Sequence, residues 1–518
     1  MILKIAMLVL FFGVMVAIGI YCRRHATNVN GFVLGGRSVG PWLTAFAYGT
    51  SYFSAVVFIG YAGQFGWKYG IAATWIGLGN ALIGSLMAWV ILGRRTRIMT
   101  QHLNSSTMPE FFGKRFDSKG LKIGASIITF IFLIPYTASL YNGLSRLFTM
   151  AFGIPYEWCI VAMSVLTGIY VIAGGYMATA INDFIQGIIM VFGIVAVIAA
   201  VLANQGGFME ALNGLANVTD EATSSTPGVF NSFFGPDPLN LLGVVILTSL
   251  GTWGLPQMVQ KFYAIKSEKD IHKGTIISTI FAVLVSGGCY FLGGFGRLFS
   301  GNADVANAVS QNNYDAIIPS MLSTLPEILI AIVVILVLSA SMSTLSSLVI
   351  ASSSTVTIDL LKGNVIKKMN DKKQVLIIRI FIVVFILISA FIAIYQTKST
   401  NESVKFIAQL MGVSWGALAG SFLAPFLYGL YWKRTTKLAC WVSFIFGVGI
   451  TLLNLFARSA FPPILQSPLN CGAFAMLVGL ILVPLVSLIT PKPDKKLVDD
   501  AFACYEKKVS ASQKNSLD

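Results

Sequence analysis

The stretch SASMSTLSS, residues 339–347, carries six hydroxyl side chains in nine positions. It lies inside a helix-length apolar run, after ILIAIVVILVL and before LVIASSS. A Ser or Thr hydroxyl in apolar surroundings can bond back to a carbonyl one turn earlier, so one or two need no other partner. Six together describe a surface that faces something polar. At about 100° per residue, Ala340, Ser343, Thr344 and Ser347 fall within an arc of roughly 100°. The carbonyl of Ala340 and the hydroxyls of Ser343 and Thr344 could then face one cation. Hard cations take oxygen ligands, and neutral oxygens suit a monovalent ion that must leave again. The competing reading is close helix packing, which Ser and Thr also permit.

Asp183, in GGYMATAINDFIQGIIMVFG, is an acid well inside an apolar run. A carboxylate at a membrane-helix centre costs about 2.5–3.5 kcal/mol on insertion scales and usually marks an ion or proton path. Nearer the headgroups, a structural hydrogen bond would explain it instead. Two other runs are interrupted. PWLTAFAYGTSYFSAVVFIGYAG has Gly49, Thr50, Ser51 and Ser54 at its middle, and LLGVVILTSLGTWGLPQMVQKFY has Gly251, Gly254 and Pro256 within six residues. Proline removes an N–H and strains the preceding turn, and glycine supplies backbone freedom. Carbonyls freed there can bind a cation. A simple kink is the alternative, since Gly and Pro are common in membrane helices.

These residues must be positioned by apolar helices. The chain has 518 residues, 56% hydrophobic and only 11% charged, against about 25% charged in soluble domains. Repeated apolar runs near 20 residues can each cross a core of roughly 30 Å. The sequence therefore predicts an all-α polytopic membrane protein with about 13 transmembrane helices. The two interruptions fall in spans two and seven, as two five-helix repeats of opposite orientation would require. The expected organisation is an extra span and loop over 1–40, a first repeat over 41–204, an extracellular loop over 205–237, a second repeat over 238–431, two extra spans over 432–490, and a polar, mobile cytoplasmic tail over 491–518.

The net charge of +15 does not indicate nucleic acid, because the basic residues sit in alternate loops. One set of loops, including Arg37, Arg97, Arg115, Lys261 and the tail lysines, holds 27 of the 36 Lys and Arg residues; the other holds Lys68, Lys398 and Arg458. Lys and Arg stay cytoplasmic. The N-terminus is expected outside and the C-terminus inside a cell membrane, with the lipid bilayer as partner. The six cysteines form no CxxC pair and read as small buried packing residues. His25, His102 and His272 sit in loops, and no HExxH, Walker A or GxSxG pattern stands in a suitable context. An enzyme is not expected.

Together these residues resemble the sodium/solute symporter family. The resemblance runs from residue 32 to about residue 435. It rests on FVLGGRSVGPW, TMPEFFGKRF, GGYMATAINDFIQG, GLPQMVQKFYA and SASMSTLSS followed by SSSTVTIDLLK. It implies the leucine-transporter-like fold, a 5+5 inverted repeat. It also implies a sodium ion (Na+) held by the carbonyls of Thr50, Phe53 and Ala340 and the hydroxyls of Ser343 and Thr344. Asp183 matches a family aspartate near the inward exit of the ion, which in some members forms a second sodium site with serines matching Ser346 and Ser347. Arg37 matches an arginine after the first span, expected to act in coupling.

Within the family, SYFSAVVFIGYAGQFGWKYG and INDFIQG look most like the pantothenate branch, and GGRSVGPW like the proline branch. Proline carriers have an aspartate where Tyr52 stands, and a tryptophan and a tyrosine where Thr248 and Thr252 stand; Tyr136 and Pro256 keep their pattern. Sugar carriers have a Glu-Gln pair where Val56 and Val57 stand. The resemblance thus implies a solute site at Tyr52, Tyr136, Thr252, Trp253 and Pro256, and a small organic acid or amino-acid-like solute carried with sodium by alternating access. A sensor of the same fold that binds solute without moving it, or a carrier of sugar or sialic acid, is the alternative. A monomer is compatible with this reading.

Overall fold

The computed structural model describes residues 2–220, 223–224, 226–310, 314–323, 325–398 and 407–505. These residues are almost entirely helical, and the few bridges, such as Val39 with Ile265, are isolated. In chain order the principal helices are α1 (Ile2–Cys22), α2 (Pro41–Tyr52), α3 (56–69), α4 (74–102) and α5 (Lys119–Phe152). There follow α6 (156–174), α7 (176–204), α8 (Pro238–Gly254), α9 (Pro256–Ala264) and α10 (Glu268–Gly293). The last are α11 (Glu327–Thr355), α12 (Asp371–Lys398), α13 (Ile407–Tyr431), α14 (Lys437–Phe456), α15 (Pro468–Ile489) and α16 (Lys495–Ala503). Proline opens α2, α8, α9 and α15, the first-turn position where its missing N–H costs nothing.

By length and composition ten helices can cross a membrane, or eleven when α8 and α9 count as one bent span, against the thirteen expected. The difference lies in two runs of 47 and 48 residues, Val56–His102 and Glu157–Asn204. At 1.5 Å per residue, a helix that long would extend roughly 70 Å, more than twice the ~30 Å apolar core. Both runs turn at a glycine. Gly70 has φ 61°, and a Cβ there would stand 2.1 Å from the carbonyl oxygen of Phe230. Gly175 has φ 57° and ψ −149°, a conformation open to glycine alone, and it divides α6 from α7.

Both interruptions are real breaks, and they share one backbone conformation. Phe53, after α2, has φ −89° and ψ 114°; Leu255, between α8 and α9, has φ −86° and ψ 121°. The α8–α9 bend is 48°. At the centre stands α11, where every residue from 333 to 355 is buried. A helix buried on all sides belongs to the core of a large bundle. It packs against α2, α5, α12 and the α6–α7 run.

The basic loops meet on one face. Arg94 pairs with Glu268 at 2.7 Å, Arg97 donates to the carbonyl of Ile265 at 2.6 Å, and Arg115 donates to that of Gly429 at 2.9 Å. Three residues read as solvated loop charges are in fact enclosed, because each satisfies carbonyls or a carboxylate inside the fold: Arg97 is 7% exposed, Arg115 0% and Lys261 1%. The tail also departs from expectation. Residues 495–503 form α16, which buries Val498, Ala501 and Phe502 against the ends of α4 and the helix Met108–Arg115. Its apolar residues recur at helical spacing, giving a short amphipathic face the polar flanks obscure. Residues 506–518 lie outside the described part.

Candidate functional site

The break after Tyr52 leaves the last carbonyls of α2 without helical partners. These point at α11. Ser343 Oγ lies 3.1 Å from Thr50 O and 3.0 Å from Ala340 O, while Thr344 Oγ1 lies 3.1 Å from Thr50 O, 3.3 Å from Phe53 O and 3.0 Å from Ala340 O. All five residues are buried. The structure thus brings Thr50, Phe53, Ala340, Ser343 and Thr344 into one cluster of five oxygens. The two hydroxyls carry two protons and face three carbonyls, so acceptor capacity exceeds donors. The negative end of the α2 dipole adds to this. Oxygens ~2.3–2.6 Å from a hard cation and at right angles around it stand about 3.3–3.7 Å apart. The spacings here are a few tenths of an ångström tighter, so the donor set fits a small monovalent cation after slight expansion.

One turn further on is a charged pair. Lys261 Nζ lies 3.9 Å from Asp183 Oδ2, and both side chains are 1% exposed. Lys261 donates to Ser347 Oγ at 2.9 Å, and Ser347 Oγ is 2.8 Å from Ser51 Oγ. The ammonium also lies 5.0 Å from the centre of the Tyr176 ring. Ser346 instead bonds back to the carbonyl of Ser343 at 2.9 Å. Asp183 and Ser347 are therefore joined through Lys261, which sequence reasoning placed in a loop. The available signal was the i, i+4 pair Gln257 and Lys261 on α9, which shares one helix face.

Arg37 sits at the end of a left-handed turn, with φ 54° after Gly35 and Gly36 at 58° and 69°. Its guanidinium donates to Ser105 O at 2.5 Å, Tyr263 O at 3.2 Å, Thr100 Oγ1 at 3.3 Å and Thr100 O at 3.4 Å. Burial, with Arg97 nearby, pulls it below the usual guanidinium range to about 10, and it is charged at neutral pH. It ties the end of α9 to the end of α4 and the loop after it. Towards the opposite face, a cavity of about 960 Å³ opens among Trp67, Lys68, Asp237, Arg297 and Asn470.

Of the residues named for the solute, Thr252 and Trp253 are engaged elsewhere. Thr252 Oγ1 donates to a carbonyl, with Gly84 O at 3.0 Å and Ser249 O at 2.9 Å, and Trp253 Nε1 donates to Ile83 O at 3.0 Å. Both thus turn towards α4. Pro256 opens α9. The Tyr52 side chain lies outside the described part. Tyr136 stands edge-on to Trp415 at 5.9 Å, and among the described residues neither its hydroxyl nor Trp415 Nε1 reaches a well-formed hydrogen bond. Gln257, next to Pro256, is fully buried with both side-chain polar atoms without partners among the described residues. It was not singled out from sequence. A polar residue directly after a helix-breaking proline was the signal.

A model of the sodium:solute symporter family matches residues 32–447. The chain belongs to that family. This symporter is 28% identical over 489 residues to the osmoregulated proline transporter OpuE of Bacillus subtilis (strain 168), a match covering 94% of each chain. It is 28% identical over 500 residues to a sodium/proline symporter of Staphylococcus aureus (strain JH9), covering 95% of this chain and 92% of that one. Its fold is similar to that of a Na+-coupled sialic acid symporter in a substrate-bound outward-open state, with a TM-score of 0.74 at 17% identity, covering 95% of this chain and 99% of that one. It is also similar to MhsT in complex with L-phenylalanine, with a TM-score of 0.50 at 13% identity, covering 86% and 97%. The symporter has the leucine-transporter-like fold and is a multi-pass membrane protein. Its coupling ion is sodium, moved with a small solute.

Proposed function

We propose that the symporter imports a small amino-acid-like solute or carboxylate across the cell membrane by alternating access, with sodium bound at the five-oxygen cluster. The N-terminus would be outside and the tail cytoplasmic. The observation that carries this reading is the meeting of the Ser343 and Thr344 hydroxyls with the carbonyls of Thr50 and Phe53. The two sides of the cluster come from opposite repeats. A sodium ion there would hold α2 to α11 in the form that receives solute, and its departure would release them. Arg37, tying α9 to α4 on the basic face, fits the same cycle.

Two relatives are named as proline carriers, and 28% identity leaves the solute open. A small zwitterion or carboxylate suits the positive end of α9 beside the unpartnered amide of Gln257. A tenfold sodium gradient supplies about 1.4 kcal/mol and one charge across 100 mV about 2.3 kcal/mol; together they could concentrate a neutral solute roughly 500-fold. The test is uptake into proteoliposomes of amino acids, pantothenate, short carboxylates and sialic acid, with sodium outside or replaced by choline. Uptake unchanged in choline refutes the proposal.

A further inference from the structure

We infer that a groove on the outer wall of the bundle, between α1, α6 and α12, holds one anionic phospholipid, with its phosphate between Arg23 and Arg379. The groove has a volume of about 550 Å³. Its walls are apolar at helical spacing: Val165, Ile169 and Ile172 on α6, and Val383 and Leu387 on α12, one and two turns beyond Arg379. Val165, Ile169, Val383 and Leu387 are exposed, as side chains that face acyl chains would be. From Arg379 to Leu387 is eight residues, or roughly 12 Å of helix, close to half of a ~30 Å apolar core. The groove therefore has the depth of a single leaflet.

One end of this groove is charged. Arg23 follows the last turn of α1, and Arg379 stands two turns into α12, a helix that begins with Lys372 and Lys373 close behind Asp371. Both guanidinium groups line the groove, no Asp or Glu lines it with them, and neither forms an ion pair among the described residues. Arg379 Nε is buried with no hydrogen-bond partner there. The Phe32 ring, 5.5 Å from the guanidinium carbon, steadies the side chain and leaves its N–H groups unpaired. An arginine within an apolar span is costly unless it meets a partner. Two guanidinium forks facing one space fit a phosphate, and apolar walls below them fit its acyl chains. In the orientation proposed above this end is cytoplasmic, where anionic lipids lie and where basic pockets between membrane helices hold their head groups. Since α1 and α12 both pack on the α6–α7 run, a lipid seated there would brace three helices together.

The test is a titration of the full-length protein in detergent with phosphatidylglycerol, with phosphatidylcholine of the same acyl chains, and with glycerol 3-phosphate, read as melting temperature. Phosphatidylglycerol should raise it by several degrees, phosphatidylcholine by clearly less, and glycerol 3-phosphate not at all. In R23Q/R379Q the half-saturating phosphatidylglycerol concentration should rise at least 10-fold, and in R23Q several-fold. R24Q removes the same charge one residue away, outside the groove lining, and should match wild type. Equal stabilisation by the two lipids overturns the inference. So does stabilisation by glycerol 3-phosphate equal to that by phosphatidylglycerol, which would mark a site for a free anion. An R24Q effect as large as that of R23Q would show diffuse attraction to a basic surface and overturn it too. If R379Q does not fold, R23Q against R24Q carries the test, since both arginines are exposed.

Discussion

The Thr344 hydroxyl lies 3.3 Å from the carbonyl oxygen of Phe53, the residue at which α2 ceases to be a helix. The two residues are 291 positions apart. Their meeting gives the proposed ion site a physical basis, since one ion bound there would touch two distant segments of the chain.

Replacing both hydroxyls in S343A/T344A should raise the half-saturating sodium concentration about 10- to 100-fold. Hydrogen-bonding groups on a charged partner are worth about 1.5–3 kcal/mol, and two of five oxygens are removed. Sodium titration of the thermal shift measures this directly. Sodium affinity equal to wild type would count against the site, whatever the uptake rate.

The five-oxygen cluster was legible because its signals are local. Six hydroxyls in nine residues and the Gly49, Thr50, Ser51 and Ser54 interruption violate the apolar pattern of a membrane helix, and the family resemblance linked them. Asp183 was visible for the same reason. Its partner was not. Lys261 lies near a helix end, and a lysine near a helix end reads as a loop charge until tertiary packing encloses it. The burial of Thr252 and Trp253 against α4 was likewise illegible, since periodicity gives the face of a helix but not its neighbour. Gly70 and Gly175 turn the chain without any polar loop, so length and hydropathy alone join Val56–His102 and Glu157–Asn204 into single runs, where the sequence reading placed span boundaries.

The Arg37 fork should matter more than its charge. R37K keeps the charge but cannot reach Ser105, Tyr263 and Thr100 together. Both R37K and R37A should accelerate efflux of preloaded solute and lower the accumulation ratio several-fold. Burial pulls the guanidinium below its usual range, to about 10, so the clamp keeps its charge from pH 6 to 8. Above the folded value the unfolded chain binds more protons, so this group's destabilising effect would shrink only at pH beyond that range. A pH profile of efflux in wild type, flat between 6 and 8, checks the assignment.

Gly175 should tolerate no side chain. Its backbone lies where only glycine is comfortable, and a Cβ would meet Phe32 O at 2.9 Å and the Phe32 ring at 3.0 Å. Strain of this kind costs about 1–3 kcal/mol. G175A should lower the melting temperature of the detergent-purified protein by several degrees, while G168A, whose Cβ would meet one side-chain atom at 3.6 Å, should not.

The docked tail helix can be undone separately. Phe502 is buried, with the Arg115 guanidinium 4.9 Å and the Lys433 ammonium 5.7 Å from its ring centre. F502A should remove about 3–5 kcal/mol of local packing, enough to release α16. Limited trypsin digestion should then cut at Lys495 and Lys496 much faster than in wild type. Equal rates would show that α16 is held by something else.

Gln257 offers the sharpest separation between a structural and a solute-binding role. A buried amide with no partner costs roughly 1–3 kcal/mol, and nothing within the described fold repays it. If a solute carboxylate or amine completes the amide, Q257L should change two measurements in opposite directions. The solute-free protein should melt at a higher temperature, because an unsatisfied polar group has been replaced by an apolar one of similar size. The stabilisation produced by adding solute should fall, with the half-saturating solute concentration rising at least 10-fold. Sodium binding without solute should not move, since Gln257 is not among the five oxygens. A merely structural glutamine would lose stability and leave solute affinity alone, so melting curves of Q257L with and without a transported solute decide between the two.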